Sequence, residues 1–306
     1  MPSEILFSTF GGPEVLQWTA GAEVPDPLPS QVVIVVAAAA VSTLDATIRS
    51  GALNGTLATF LPSALGREAA GIVIARGSAV RDVEVGDEVL GFTDTGAYAQ
   101  FAALSTYVRK PEALSWAIAA ALPVASQTAN RVLDQLDVRE GQTLLIAGGA
   151  GAIGSMAGQL AVARGANVVA TVATADFAYV RSLGMTAVRY GHGFARRVRS
   201  VCPGGVDAAL DTSGARILAD LVQLTGIPGR VLTLSDQSAD LFGAILSESD
   251  PTSRSTSLLR AVADLAANGA LSVRIARTYP LSHAVEAHQD LAAGGARGRL
   301  VLVNGV

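Results

Sequence analysis

The chain has 306 residues, half of them apolar, a net charge of -4 and no basic block, so a nucleic-acid-binding surface is excluded. A single cysteine, Cys202, rules out an intramolecular disulfide and a cysteine-based zinc cluster, and fits a reducing, cytoplasmic setting. The longest apolar run, Val32 to Val41, is too short to span a bilayer, Met1-Pro2-Ser3-Glu4 has no basic leader, and the length suggests two domains.

Residues 1 to about 122 read as β-rich. Val32 to Ala40 and Gly71 to Ala75 are apolar runs of strand length, and Val83 to Gly91 alternates around a Gly86-Asp87 turn as a hairpin would. Gly96 to Ala102 alternates as well. Short strands at this spacing, parted by turn residues, predict a small barrel.

The character changes at Pro123. Leu144 to Ala147 is a short apolar run stopped by glycine, and from Ala152 an Ala-rich helical pattern runs through Met156, Leu160 and Val162. Strands follow over Val168 to Val172, Thr186 to Tyr190, Val206 to Asp211 and Gly229 to Ser235. Helices are expected near Phe177 to Leu183 and from Ala215 to Leu224. This alternation predicts an α/β domain with a doubly wound parallel sheet. Leu241 to Leu246 reads as an edge strand, and the polar stretch Ser247 to Ser257 as a loop that acts as a lid. Leu258 to Ala267 reads as a helix stopped by Asn268-Gly269. The tail predicts a strand, a helix over Ser282 to Ala293 with Ser282 as its cap, and a last strand Leu300 to Val303.

Between the first strand and helix of the second half lies Gly149-x-Gly151-x-x-Gly154, preceded by Gly148. Glycine permits the tight turn, lets a ligand approach the backbone and lets helix pack close to strand. The free N–H groups of the helix start then favour an anion, which makes this a site for a pyrophosphate. Ligands on such sheets bind at the carboxyl ends of the strands. That rule gathers Thr174, Tyr190, Ser213, Leu234 and Ser235 along one crevice with the glycine turn.

Taken together, Val85-Gly86-Asp87-Glu88-Val89, Gly96-Ala97-Tyr98-Ala99, Ala121-Leu122-Pro123, the glycine turn, Gly229-Arg230-Val231-Leu232 and Gly298-Arg299-Leu300-Val301-Leu302 resemble the medium-chain dehydrogenase/reductase superfamily, in its zinc-free quinone oxidoreductase (zeta-crystallin-like) branch. The resemblance implies a GroES-like β-barrel domain over residues 1–122, completed by 270–306, and a Rossmann domain over 123–269. It also implies NADPH as hydride donor, with NADH the lesser alternative, and a homodimer. Thr128, Ala152, Ile153 and Tyr190 stand where the family touches the dinucleotide, and Leu234 and Ser235 where it closes the nicotinamide end. Gly148 and Gly151 belong to the pyrophosphate turn.

Three departures from the family pattern matter. Zinc-dependent relatives carry Gly-His-Glu and a cysteine cluster; this chain has Gly66-Arg67-Glu68 and lacks the cluster, so no metal is expected. After the strand ending at Val172, Thr174 can donate to a 2′-phosphate, but the usual basic position is Ala175; Arg189 and Arg196 are candidates for the missing charge. The family's Asn-Pro-x-Asp-x-Tyr-x-Arg-x-Gly segment reads Ser42-Thr43-Leu44-Asp45-Ala46-Thr47-Ile48-Arg49-Ser50-Gly51. Ser42 and Thr47 are the donors expected to polarise a substrate carbonyl, whereas Asp45 and Arg49 are expected to pair and brace the loop. His283 and His288 are expected as surface or interdomain side chains, and His192 in a solvated loop.

The function expected is zinc-independent, NADPH-dependent reduction of a quinone or an α,β-unsaturated carbonyl compound in the interdomain cleft, by a soluble protein whose partners are a small-molecule carbonyl substrate and a second copy of itself, not membrane or nucleic acid. The alternative is a non-redox protein of the same fold, binding a dinucleotide or a bulky organic ligand.

Overall fold

In the computed structural model, which describes residues 2–55, 59–248 and 253–305, the chain forms two compact units, Met1–Val124 with Arg254–Val306, and Ala125–Ser253.

The first unit opens with β1 (Ser3–Phe7) and β2 (Gln17–Ala20), an antiparallel pair that β4 (Ser63–Ala64) extends on the other edge of β1. Its spine is β3 (Val32–Val41). β5 (Glu68–Arg76) pairs with it on one side; on the other, β7 (Phe101–Arg109) takes its first half and a strand from the tail its second half. β6 (Glu88–Thr93) joins β5 to β7 and closes the ring. A strand with neighbours on both edges and core on its faces has no solvent face, which is why β3 is apolar throughout instead of alternating. Helix α1 (Thr43–Ser50) follows directly, begun by a Ser42–Asp45 capping box and ended by Gly51 at φ 80°, a left-handed stop that glycine makes without strain. The short α2 (Trp116–Ala120) and then α3 (Pro123–Gln135) lead on along the chain.

The second unit is built on β8 (Thr143–Ala147), α4 (Ala152–Ala163), β9 (Asn167–Val172), α5 (Phe177–Ser182), β10 (Thr186–Arg189), α6 (Phe194–Val201), β11 (Ala208–Asp211), α7 (Leu218–Thr225), β12 (Val231–Thr233) and β13 (Ile245–Leu246). The six strands are parallel in the order β10-β9-β8-β11-β12-β13, so the order reverses between β8 and β11. The chain then re-enters the first unit with α8 (Thr256–Ala267), β14 (Ile275–Pro280), α9 (Ala284–Ala293) and β15 (Arg299–Val303), the last being the tail strand beside β3.

Several elements differ from the sequence expectation. No hairpin spans Val83 to Gly91: β6 starts at Glu88, and Val83 fills the core from a loop while Val85 is exposed. Over Gly96 to Ala102 the chain is a loop as far as Gln100, in which Ala97 and Tyr98 are fully buried and Ala99 makes a single bridge to Glu4. Helix α7 begins at Leu218 because Gly214 and Arg216 sit at φ 64° and 53° and break any earlier turn. Ser282 is not a cap: Leu281–His283 form a short 3-10 turn, and His283 occupies the cap position of α9. Helix α8, expected in the second domain, groups with the first and packs on β7. Of the run Leu241 to Leu246 only the last two residues pair, at the sheet edge. Residues 249–252, the middle of the expected lid, lie outside the described residues.

Candidate active site

The second unit places the glycine turn at the carboxyl end of β8, where the strand order reverses and a crevice opens in sheets of this kind. Three glycines there are required by packing. A Cβ on Gly148, at φ 85°, would lie 2.7 Å from Thr212 Oγ1; on Gly149, 2.4 Å from Ala170 Cβ; on Gly154, 2.3 Å from the Gly148 carbonyl oxygen. Gly151 has a different part. It is the N-cap of α4, exposed, with extended backbone and no side chain to cap the helix. The amides of Ala152 and Ile153, both half-buried, therefore start a 12-residue helix with no side-chain acceptor. That cradle has the form to fit a pyrophosphate, which would supply the missing acceptors and meet the positive end of the helix dipole.

Around it, Asp211 is fully buried and accepts from Ser213 Oγ (2.7 Å) and Thr233 Oγ1 (3.1 Å), fixing the loops after β11 and β12 that carry Leu234 and Ser235. Thr212 Oγ1 donates to the Ala147 carbonyl at 2.8 Å and ties the β11 loop to the end of β8. Thr174 is exposed in a 3-10 turn after β9, and Tyr190 is exposed after β10. Thr128 is half-buried on α3. Arg189, Arg196 and His192 are exposed; the arginine that organises this loop is Arg197, which donates to the carbonyls of Arg189, Tyr190, Gly191 and His192.

In the first unit, both expected substrate donors already have acceptors. Ser42 Oγ donates to Asp45 Oδ2 at 2.5 Å, and Thr47 Oγ1 donates to the Thr43 carbonyl at 2.7 Å. Asp45 and Arg49 do not pair, contrary to expectation. Asp45 takes the Ser42 hydroxyl and the N–H groups of Ser42 and Gly66; Arg49 donates to the Gly11 carbonyl and to His288 Nδ1. Burial raises the Asp45 carboxyl above its usual range, against those hydrogen bonds.

His288 is not a surface residue: it is fully buried. Because arginine only donates, Nδ1 is the acceptor and Nε2–H points to Tyr98 Oη at 3.2 Å. Burial, and then the charge of Arg49, lower its pKa to about 3, so the ring is neutral at physiological pH. The signal was present in the sequence. Ala284, Ala287, His288 and Leu291 form the apolar stripe of α9, and His288 rides in it.

Above α1 lies a cavity of about 360 Å³ whose wall includes Ile48, Phe60, Leu65, Arg67, Thr93 and Asp94. Gly66, which starts this wall, is held at φ 93°, and a Cβ there would meet Tyr98 and Ala97 at 2.7 and 2.8 Å. Glu68 turns away from it: it is buried against Arg299 and accepts from the Val124 N–H at 2.8 Å. Among the described residues no group of three or more His, Cys, Asp or Glu side chains is arranged to hold a metal ion.

A closed barrel in one unit and a six-stranded parallel sheet with reversed strand order in the other define a fold with a GroES-like domain and a Rossmann-like domain. Family models agree: residues 28–116 match the alcohol dehydrogenase GroES-like domain and residues 164–302 a zinc-binding dehydrogenase domain. A quinone oxidoreductase of Pseudomonas aeruginosa is 30% identical, with 99% of this chain and 100% of that one covered. The NADPH-dependent alkenal/one oxidoreductase of Arabidopsis thaliana is 36% identical over 58% of this chain, and the chain spans about half its length, 50%. A mycobacterial structure solved with NADPH matches with TM-score 0.85 at 27% identity, covering 99% of this chain and 100% of the other. The chain belongs to the medium-chain dehydrogenase/reductase superfamily, in its quinone oxidoreductase-like branch.

Proposed function

We propose that the chain is a zinc-independent, NADPH-dependent reductase of quinones or α,β-unsaturated carbonyl compounds. The observation that carries the reading is Gly151 at the N-cap of α4, which leaves the first helical amides to a pyrophosphate at the reversal of strand order. The relatives' names support it, one acting on alkenals and enones with NADPH, others on quinones.

When bound, NADPH would supply the hydride for the reduction, and the balancing proton would come from water. The chain's own residues bind and orient. Gly148, Gly151, Ala152 and Ile153 hold the pyrophosphate. Thr174, with Tyr190 in the loop that Arg197 ties down, takes the adenosine end. Ser213, Leu234 and Ser235 would line the nicotinamide end, and Thr128 on α3 would contact the dinucleotide. Thr47 is the better of the two carbonyl donors. Its hydroxyl gives up only the Thr43 carbonyl, already bonded in the helix, whereas Ser42 would leave the buried Asp45 short of a donor. The protein acts as a homodimer in the cytoplasm, joined through the β13 edge.

Titration of the cofactor-free protein with NADPH and NADH, followed by nicotinamide fluorescence, tests the first step. Tighter NADPH binding, and then NADPH consumption with an enone or a quinone, is expected. Binding of neither dinucleotide overturns the reading.

A further inference from the structure

The wall of the first unit's cavity includes a cation, Arg67, that forms an ion pair with no carboxylate among the described residues. Nor does its guanidinium make a hydrogen bond among them. The one carboxylate on the wall, Asp94, is already engaged. Its Oδ1 accepts from Ser105 Oγ at 3.1 Å and lies 3.5 Å from Arg254 Nη1, and its Oδ2 accepts from Gln31 Nε2 at 2.9 Å. Arg254 also stacks over Phe92, 4.8 Å from the ring centre. Burial, and then the charge of Arg67, weaken the hold of Arg254 on its proton, so the two guanidinium groups repel across this wall. Asp45 interacts electrostatically with Arg67 but forms no hydrogen bond to it; its oxygens accept from Ser42 and Gly66. Arg67 and Arg254 thus face two carboxylates, Asp94 and Asp45, but both are held by other donors, and Arg67 borders a concave site whose other walls include Ile48, Phe60 and Leu65.

We propose that this cavity selects a substrate bearing a carboxylate, an unsaturated oxo acid in preference to a neutral enone or quinone, with Arg67 as the residue that binds the carboxylate. The planar guanidinium matches a carboxylate through two parallel hydrogen bonds, and the apolar walls take the carbon skeleton. Arg67 stands where zinc-dependent relatives have the histidine of Gly-His-Glu. The wall position that holds a Lewis acid elsewhere would here hold the anionic end of the substrate. The inference rests on the reductase reading for its reducible group.

The test compares trans-β-acetylacrylic acid with its methyl ester, which share a carbon skeleton and differ in charge. With NADPH, kcat/KM for the acid is expected to exceed that for the ester by about 10- to 100-fold, the range of a charge-assisted contact. In Arg67→Gln the acid-to-ester ratio falls to within about threefold of unity, and Arg67→Lys restores part of it because the charge returns without the fork. The ratio is internal to each variant, so a loss of folded protein does not move it. Calorimetry with levulinate and methyl levulinate reads binding without turnover, and only levulinate is expected to bind, in an Arg67-dependent way. Equal rates for acid and ester overturn the inference and leave the reductase reading standing. No turnover, with Arg67-dependent levulinate binding, upholds the anion site and sinks the reductase reading. Absence of both turnover and levulinate binding overturns both.

Discussion

Arg49 donates to Nδ1 of His288 across 2.7 Å, although 239 residues separate them in the chain. The bond joins α1, beside the cavity, to α9 in the tail, and His288 passes the contact on to Tyr98. After burial, the charge of Arg49 is the second cause that keeps the ring neutral, since an imidazolium could not accept from Arg49 and would face a buried cation.

That charge state predicts a pH dependence of stability. The folded pKa is about 3 against the ordinary 6.5 of a histidine, so the unfolded chain takes up a proton first as pH falls. The stability contributed by the neutral ring is complete above pH 6.5 and is lost as pH drops toward 3, at about 1.4 kcal/mol per pH unit. Asp45 and Glu68, whose pKa values are raised, act in the opposite direction in acid, because the folded state binds their protons first. Urea denaturation of the wild type and of His288→Gln from pH 7 downward isolates the histidine: the gap between the two should narrow as pH falls.

Replacement of Gly151 by Asp should move stability and binding in opposite directions. Asp is among the best N-cap residues, and the position has a backbone angle it can adopt, so α4 should gain roughly a few tenths of a kcal/mol over glycine. The same carboxylate would occupy the pyrophosphate site. A higher melting temperature together with lost NADPH binding is the expected pair of results; unchanged NADPH affinity would remove the glycine turn from the site.

Glu68 and Arg299 form a buried ion pair, with side-chain exposures of 1% and 8%. Glu68→Gln leaves a buried guanidinium without its counter-charge and should cost about 3–5 kcal/mol in urea denaturation. The double replacement Glu68→Leu with Arg299→Met should recover most of that, since removing both charges also removes their desolvation cost.

Ala175 is exposed in the turn after β9, next to Thr174. Ala175→Arg should raise the preference for NADPH over NADH by about fivefold, a little below the usual gain from a charge-assisted bond because the site is solvated. A ratio of dissociation constants that does not move would place the 2′-phosphate elsewhere.

Much of the fold was legible because its signals are local. The apolar run of β3, the βα alternation after Pro123 and the glycine spacing before α4 each report the geometry of a single element. Boundaries slipped where tertiary contacts overrode pattern. Val83 alternates with its neighbours because it plugs the barrel from a loop, and Gly214 with Arg216 delays α7 by turning left-handed. At the site, the types of residue were readable and their partners were not. Asp45 and Arg49 lie one helical turn apart and invite pairing, yet each finds a better partner far along the chain.

The sequence by itself determined the two-part α/β architecture and the glycine-rich turn before α4, because backbone geometry and glycine placement depend on neighbours a few residues away. Only the tertiary structure decided which polar side chains are already engaged. It gave the Ser42 hydroxyl to Asp45, buried His288 as a neutral link between Arg49 and Tyr98, and occupied Asp94 with Arg254 while leaving Arg67 at the cavity wall. Those pairings are long-range contacts, set by which groups packing brings together out of water, and nothing in the local pattern encodes them.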